Sequence, residues 1–593
     1  MEFQTRKVDV VVDTPMVPPR WAMLERRLIQ AQTDATMEFC ERYFDERGYL
    51  DCYPRWGGDD GPDDAAENFA HWTELYALGA PQIILDSYRR VWEGHLRQYT
   101  EAKTIEVPFA RDGMYYREFP VMFDWTHNGE GFVAFWLEGL ADPYHAEFRR
   151  RTKRYAGMYM GEDPKADNYD PKHKVIRSMF NGSRGPMMRK TTGLDWAGDP
   201  FEVEGRFRPA HGESNYQEML DHFKDYNNVV GDHPLNLNTT TLALNAYMLE
   251  GEPKYREWVL GYIDAWMERT SENGGIIPTN IGLDGKIGGA CDGKWYGGVY
   301  GWAHSTLDPG TQLIRHRPFF QHRAPWAFGN ALMLSGNMGY LDAWRTTSDG
   351  VNSNVKTVNG QNMYPRCYGD DGWYDFREEP FEAGALQIYY WSMDDSDRKR
   401  INDNSHYPIE DTGWLDYIEG NDPDWPVRVL EDGLAVVQDR VEGFRNDMTT
   451  PDTRLCDDMN NLNPAQTDVL TQVMLGGLPP QHNGYPLHCR VRYFDPERSR
   501  PGLPESVAAL VETFTADEVT VVLVNMDQVK GSSVVVQGGA YGEHQITVVE
   551  VDGQNIVVND SAFSVWLAPG CGSRLVIKAK RFVNQPSFDF PVV

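Results

Sequence analysis

The sequence predicts a mainly helical fold with a β tail, an (α/α)6 toroid over residues 1–480 followed by a small antiparallel β-sandwich over 485–593. Two observations predict it. Short, nearly all-apolar helical segments recur along the first four-fifths of the chain, and from about residue 485 the hydrophobic pattern changes to period two.

The apolar segments are FAHWTELYALGA (69–80), GFVAFWLEGLAD (131–142), TTTLALNAYMLEG (239–251), PWAFGNALMLSGN (325–337), FEAGALQIYYWS (381–392) and TDVLTQVMLGG (467–477). Four of them end in a Gly or Asp-Pro break, followed by a more charged, amphipathic helix such as EPKYREWVLGYIDAWMER. A helix that is apolar all round needs neighbours on every side, whereas an amphipathic one needs a single buried face. Glycine at each break supplies the conformation of a helix C-cap. The alternation therefore reads as an inner and an outer ring, with the helix at about 22–46 closing the outer one.

Long connections lead into the inner helices: 48–64, 109–131, 161–235, 273–289 and 359–376, rich in Gly, Pro, aromatic and acidic residues. Long irregular connections usually carry function, so the face where they converge is the expected active face. The tail holds eight strand-like runs, from LHCRVRYFD to SRLVIKAK, separated by turn residues. The stretch GLPPQHNGYP (477–486) reads as the linker between the two domains.

The chain has 593 residues, too many for a single core, and a formal net charge of −31. So acidic a surface repels nucleic acid and anionic membranes, so neither is an expected partner. No run approaches the roughly 18 apolar residues of a membrane span, and the first residues lack a signal-like apolar core. The seven cysteines are scattered with no CxxC pair, so no metal or other cofactor is expected. The expected setting is cytoplasmic, with an oligosaccharide as partner and association into a homo-oligomer left open.

The helix rhythm, joined to the tail segments VTVVLVNMDQ (519–528) and SVWLAPGCGSRLVI (564–577), resembles the toroidal glycoside hydrolases and polysaccharide lyases that close with a small sandwich. That resemblance implies cleavage of glycosidic bonds. Hydrolysis needs two carboxyl groups. Candidates on the expected face are Asp124 and Glu130, with His127 between them and Trp125 as a sugar platform, and Asp370 with Asp371. Trp56, Asp59, Asp60, Tyr364, Arg366 and Trp373 are the expected substrate contacts beside them.

β-Elimination from a uronate instead needs a Tyr or His base and a group that stabilises the developing anion. His211, Tyr300 and His304 are the candidates, together with Tyr364, Arg366 and Tyr368 in MYPRCYGDD. Arg317 and Arg323, within RHRPFFQHR (315–323), stand out in an acidic chain and suit an anionic sugar. Hydrolysis is the preferred expectation because carboxylates dominate the loops, with elimination as the alternative. A non-catalytic glycan-binding protein and a toroidal terpenoid lyase or isomerase are the readings from other classes. The last would use the DDxxD spacing of Asp59, Asp60 and Asp63, but Gly61-Pro62 argues against a helix there.

Overall fold

The computed structural model describes residues 9–52, 61–102, 113, 115–116, 118–120, 129–164, 166, 168–177, 231–289, 292–296, 305–307, 314–316, 324–401, 412–480 and 484–591. Each apolar segment carries helical structure. The six elements expected to be inner are α2 (Trp72–Leu78), the turns 131–137 that run into α4 (Glu138–Ala141), α6 (Thr240–Glu250), α8 (Ala324–Ser335), α10 (Ala385–Ser392) and α12 (Asp468–Leu475). The longer helices between them are α1 (Arg20–Tyr43), α3 (Gln82–Glu101), α5 (Ala146–Tyr159), α7 (Pro253–Glu272), α9 (Asp342–Asn352) and α11 (Trp425–Asn446).

Contacts between the inner elements run in chain order and return to the start. Thr73 Oγ1 donates to Ala134 O at 3.2 Å, and Asn245 Nδ2 to Trp136 O at 2.9 Å. Asn330 Nδ2 donates to the hydroxyls of Thr240 and Thr241 at 3.0 and 3.1 Å. Gly329 of α8 lies against the Trp391 ring of α10, where a Cβ would come within 2.3 Å of ring carbon. Tyr390 OH donates to Gly476 O at 2.9 Å, and Thr471 Oγ1 of α12 donates to Glu74 of α2 at 2.8 Å. Among the longer helices, α1 packs on both α3 and α11, and Arg445 pairs with Glu38 across the second of these contacts at 2.5 Å.

The tail is two five-stranded sheets. One has the order β1-β11-β8-β4-β5, with β1 (Val10–Val12), β4 (Val491–Asp495), β5 (Arg500–Pro501), β8 (Ser532–Gly538) and β11 (Ala562–Leu567). The other has the order β6-β7-β12-β9-β10, with β6 (Val507–Phe514), β7 (Glu518–Asn525), β9 (Gln545–Val551), β10 (Gln554–Asp560) and β12 (Gly572–Lys580). All eight tail runs read from the sequence are strands. An additional edge strand, β1, comes from the opposite end of the chain and pairs in parallel with β11, Val10 facing Val565.

Arginines fix the sandwich to one end of the inner helices. Arg490 donates to Tyr390 O at 2.9 Å, and Arg581 to Trp391 O at 2.8 Å, both in the last turn of α10. Arg500 donates to Tyr76 O and Ala80 O at 2.8 and 2.7 Å at the end of α2. Arg492 donates to Leu140 O at the end of α4. The last carbonyls of a helix have no intrahelical partner and carry the negative end of its dipole, so a cationic donor there answers both needs. The sandwich thus occupies the C-terminal ends, and the N-terminal ends point the other way.

Two local expectations are corrected. The stretch 359–376 is not an irregular loop but a hairpin, β2 (Gln361–Gly369) and β3 (Gly372–Arg377), turning at Asp370-Asp371 with Gly372 at φ 85°. Its alternating side chains suit a pleated strand, and Gly supplies the left-handed turn position. Pro62 does not exclude a helix: it opens Pro62–Glu67, where its missing N–H would have been unpaired anyway. Almost all of the described part of the linker 477–486 is buried. Leu478 and His488 bridge antiparallel, Thr241 Oγ1 donates to Gly484 O, and Tyr485 stacks on Trp326 of α8 at 4.6 Å and 10°. The linker therefore runs back among the inner helices.

Candidate active site

His71 opens α2 with a left-handed backbone, φ 66° and ψ −2°. For a residue with a Cβ this costs on the order of 1 kcal/mol and persists only where the surroundings enforce it. The fully buried Glu74, one turn on, and Thr467, whose Oγ1 lies 3.2 Å away, both meet Nδ1 of its ring. Glu74 Oε2 lies 3.1 Å from His71 Nδ1 and accepts from Thr467 Oγ1 at 2.5 Å, while Oε1 accepts from Thr471 Oγ1 at 2.8 Å. Two hydroxyls from α12 and its N-cap thus fix the carboxylate, and the carboxylate fixes the imidazole. With Nδ1 turned to Glu74, Nε2 is the ring nitrogen directed away from the pair. A second pair, half-buried His145 with buried Glu138 at 2.6 Å, lies at the sandwich end and has an ordinary extended backbone at His145, φ −62°. Only the first pair combines the N-terminal end with an enforced backbone.

A carboxyl cluster lies on the short helix preceding α2. Asp63 is buried and Asp64 half-buried, with Asp64 Oδ2 accepting from Gly61 N at 2.6 Å. Burial, then the neighbouring Asp63 carboxylate, push Asp64 well above the usual carboxylate range.

The hairpin brings four half-buried rings together. Tyr368 lies 4.8 Å from Trp295, 5.0 Å from Tyr296 and 4.9 Å from Trp373. At their edge Asp370 Oδ1 accepts from Lys294 Nζ at 2.7 Å and from Tyr296 OH at 2.9 Å. Asn280 Nδ2 holds the carbonyls of Lys294 and Tyr296 at 3.0 and 3.3 Å, and so ties the strip 294–296 to the loop after α7. Flat rings with polar groups at the rim suit a sugar, whose C–H faces stack while its hydroxyls bond.

Asp370 and Trp373 are therefore brought together, with Tyr368, Lys294, Trp295 and Tyr296. Asp371 is exposed at the hairpin turn, and Tyr364 is half-buried on β2 opposite Arg377. Arg366 is buried and donates to Glu379 O and Pro380 O at 2.8 and 3.2 Å, which holds the turn before α10. Glu130 is half-buried at the start of the second inner element, where its carbonyl accepts from Val133 N at 3.0 Å. Trp56, Asp59, Asp60, Asp124, Trp125, His127, His211, Tyr300, His304, Arg317 and Arg323 lie outside the described residues. The sequence reading passed over His71 and Glu74, although their i, i+3 spacing inside an apolar helix was a usable signal. Among the described residues, no group of three or more His, Cys, Asp or Glu is placed to hold a metal ion. No described helix is long and apolar enough to cross a membrane.

No curated protein matches the chain. Among solved structures, a D-mannose isomerase is similar at 12% identity and a TM-score of 0.23, covering 63% of this chain and 97% of that one. A sugar epimerase from a ruminal bacterium is similar at 13% identity and a TM-score of 0.22, covering 62% of this chain and 98% of that one. At such TM-scores these likenesses carry no argument about chemistry. A family model described as a domain of unknown function (DUF8034) matches residues 9–364 and 346–471, and the chain belongs to that family.

Proposed function

We propose that the chain is a carbohydrate-processing enzyme whose six helix pairs close as an (α/α)6 toroid, with His71 moving a proton at the N-terminal end of the inner helices. The His71–Glu74 pair carries this reading. In the neutral ring, Nδ1–H donates to the Glu74 carboxylate and the lone pair sits on Nε2, the tautomer a general base needs. Once Nε2 takes a proton, the same carboxylate stabilises the imidazolium. This arrangement suits removal of the proton on a carbon next to a carbonyl or carboxylate, the step shared by sugar isomerisation, epimerisation and uronate β-elimination. The rings at 295, 296, 368 and 373 would hold the sugar face. A uronate would supply both an acidic C–H and the carboxylate that suits the arginines of 315–323.

Hydrolysis is a second reading, supported by Asp64. A carboxyl group pushed up by burial and a neighbouring carboxylate suits the general acid that protonates a glycosidic oxygen. Incubating the protein in heavy water with monosaccharides and uronate-containing oligosaccharides separates the two. Solvent deuterium on a substrate or product carbon, or the ultraviolet absorbance of an unsaturated uronate, supports His71 chemistry. New reducing ends without either support the carboxyl reading. Turnover of nothing in either set would overturn both.

A further inference from the structure

Asn238 lies at the entry to α6, in the 3-10 helix Pro234–Thr239, within the sequence NLNTTT. It is 1% exposed, yet neither its side-chain oxygen nor its side-chain nitrogen has a hydrogen-bond partner. The Oγ1 of its neighbour Thr239, equally buried, has none either. A primary amide offers two donors and an acceptor with two lone pairs. Burying such a group without partners costs roughly 1–3 kcal/mol, so an amide left this way calls for an explanation.

Neighbouring polar groups are bonded in part, and the Oδ1 of the buried Asn330 is likewise without a partner. Asn236 Nδ2 donates to Asp232 at 2.8 Å, Thr240 and Thr241 accept from Asn330, and Thr241 donates to Gly484 O. The returning linker closes the space from the sandwich side. Gly484, at φ 100°, comes so close that a Cβ there would lie 3.0 Å from the Trp136 ring and 3.2 Å from Asn238 O. Beside it stands the Tyr485–Trp326 stack. Asn238 and Thr239 are thus buried polar groups at the entry to α6, at the same N-terminal end as His71 and beside the linker that returns from the sandwich.

We propose that Asn238 and Thr239 form a hydroxyl-reading subsite, which takes one sugar ring of the substrate and bonds its hydroxyls directly or through a held water. This inference rests on the carbohydrate reading above. A pair of vicinal hydroxyls matches a carboxamide, donating to its oxygen and accepting from its nitrogen. Bonds made this way contribute to affinity more than to the fold.

The test compares the full-length protein with Asn238→Leu and Thr239→Val in urea unfolding, with and without D-glucose, D-galactose and D-glucuronate as probes. If the amide is unsatisfied in the free protein, Asn238→Leu unfolds at the same or a higher urea concentration than the parent. At least one sugar then stabilises the parent, and its affinity for the Leu variant is at least about tenfold weaker. The proposal is overturned if Asn238→Leu lowers the folding equilibrium tenfold or more, if a sugar stabilises parent and variant alike, or if no probe stabilises the parent. The readout is binding without turnover, so the inference and the role of His71 fail separately: a His71 variant that binds sugar like the parent leaves this subsite standing.

Discussion

Replacing Glu25 by Gln should remove a pH dependence of stability from the seam between helices and sandwich. Glu25 is a fully buried residue of α1, and its Oε2 accepts from Ala509 N of β6 at 3.2 Å while Oε1 has no partner. Burial pushes its carboxyl up to about 8 from an unperturbed 4.5, and the neighbouring Arg26 and the Ala509 N–H only partly oppose this. The folded state therefore binds this proton more tightly than the unfolded state does. The contribution to stability is fully present below about pH 4.5 and is lost as pH rises through about 8. At about 1.4 kcal/mol per pH unit, the parent loses on the order of 3 kcal/mol between about pH 5 and pH 7 through this one group. Gln keeps the shape and the acceptor for Ala509 N but cannot ionise. Glu543, pushed up to about 7, and Asp232, pushed up to about 6, titrate in both proteins and cancel in the difference. Urea unfolding of parent and Glu25→Gln at the two pH values reads the effect directly. The variant should gain on the parent as pH rises. Equal slopes for the two proteins would mean that Glu25 is ionised in the fold, paired with Arg26, and that the burial argument is wrong.

Two further outcomes follow from the same geometry. Arg490→Met should cost about 2–4 kcal/mol in chemical unfolding, because it removes the donor to Tyr390 O and the guanidinium stacked 4.5 Å from the Tyr390 ring and 4.3 Å from that of Phe514. A smaller effect than a surface arginine control would show that the sandwich is not anchored through α10. Trp373→Ala should raise KM about five- to tenfold with kcat little changed, since one stacking ring is worth about 1 kcal/mol and takes no part in bond making. An unchanged KM would remove the four-ring cluster from the site.

The inner helices were legible because elements surrounded by other helices must be apolar on every side, and GALQIYYWS or PWAFGNALML can be little else. The strands of the sandwich were legible from strict alternation bounded by turn residues. What the sequence hid was set by distant partners. Val10–Val12 become a strand because Val565–Leu567 offer an edge to pair with. The linker is buried because Tyr485 finds the Trp326 face and Gly484 fits under Trp136, contacts between residues far apart in the chain. The hairpin 361–377 was masked by its many Gly, Asp and aromatic residues, which read equally well as a loop. Of the candidate site, Asp370 and Trp373 were found because they sit in an acid–aromatic–Gly motif. His71 and Glu74 were passed over because they lie inside a helix that packing alone seemed to explain, and Asn238 because an unpaired amide is visible only once its surroundings are known.

The central claim is that His71, held by Glu74, performs the chemistry. It is tested by assaying His71→Gln and Glu74→Gln on whichever sugar the heavy-water experiment shows to be turned over, with circular dichroism and unfolding midpoints measured alongside. His71→Gln should lower kcat by about 100- to 10,000-fold at an unchanged fold, as expected for loss of a positioned acid–base group, and Glu74→Gln should lower it by a smaller factor. Full activity in a properly folded His71→Gln protein would contradict the claim.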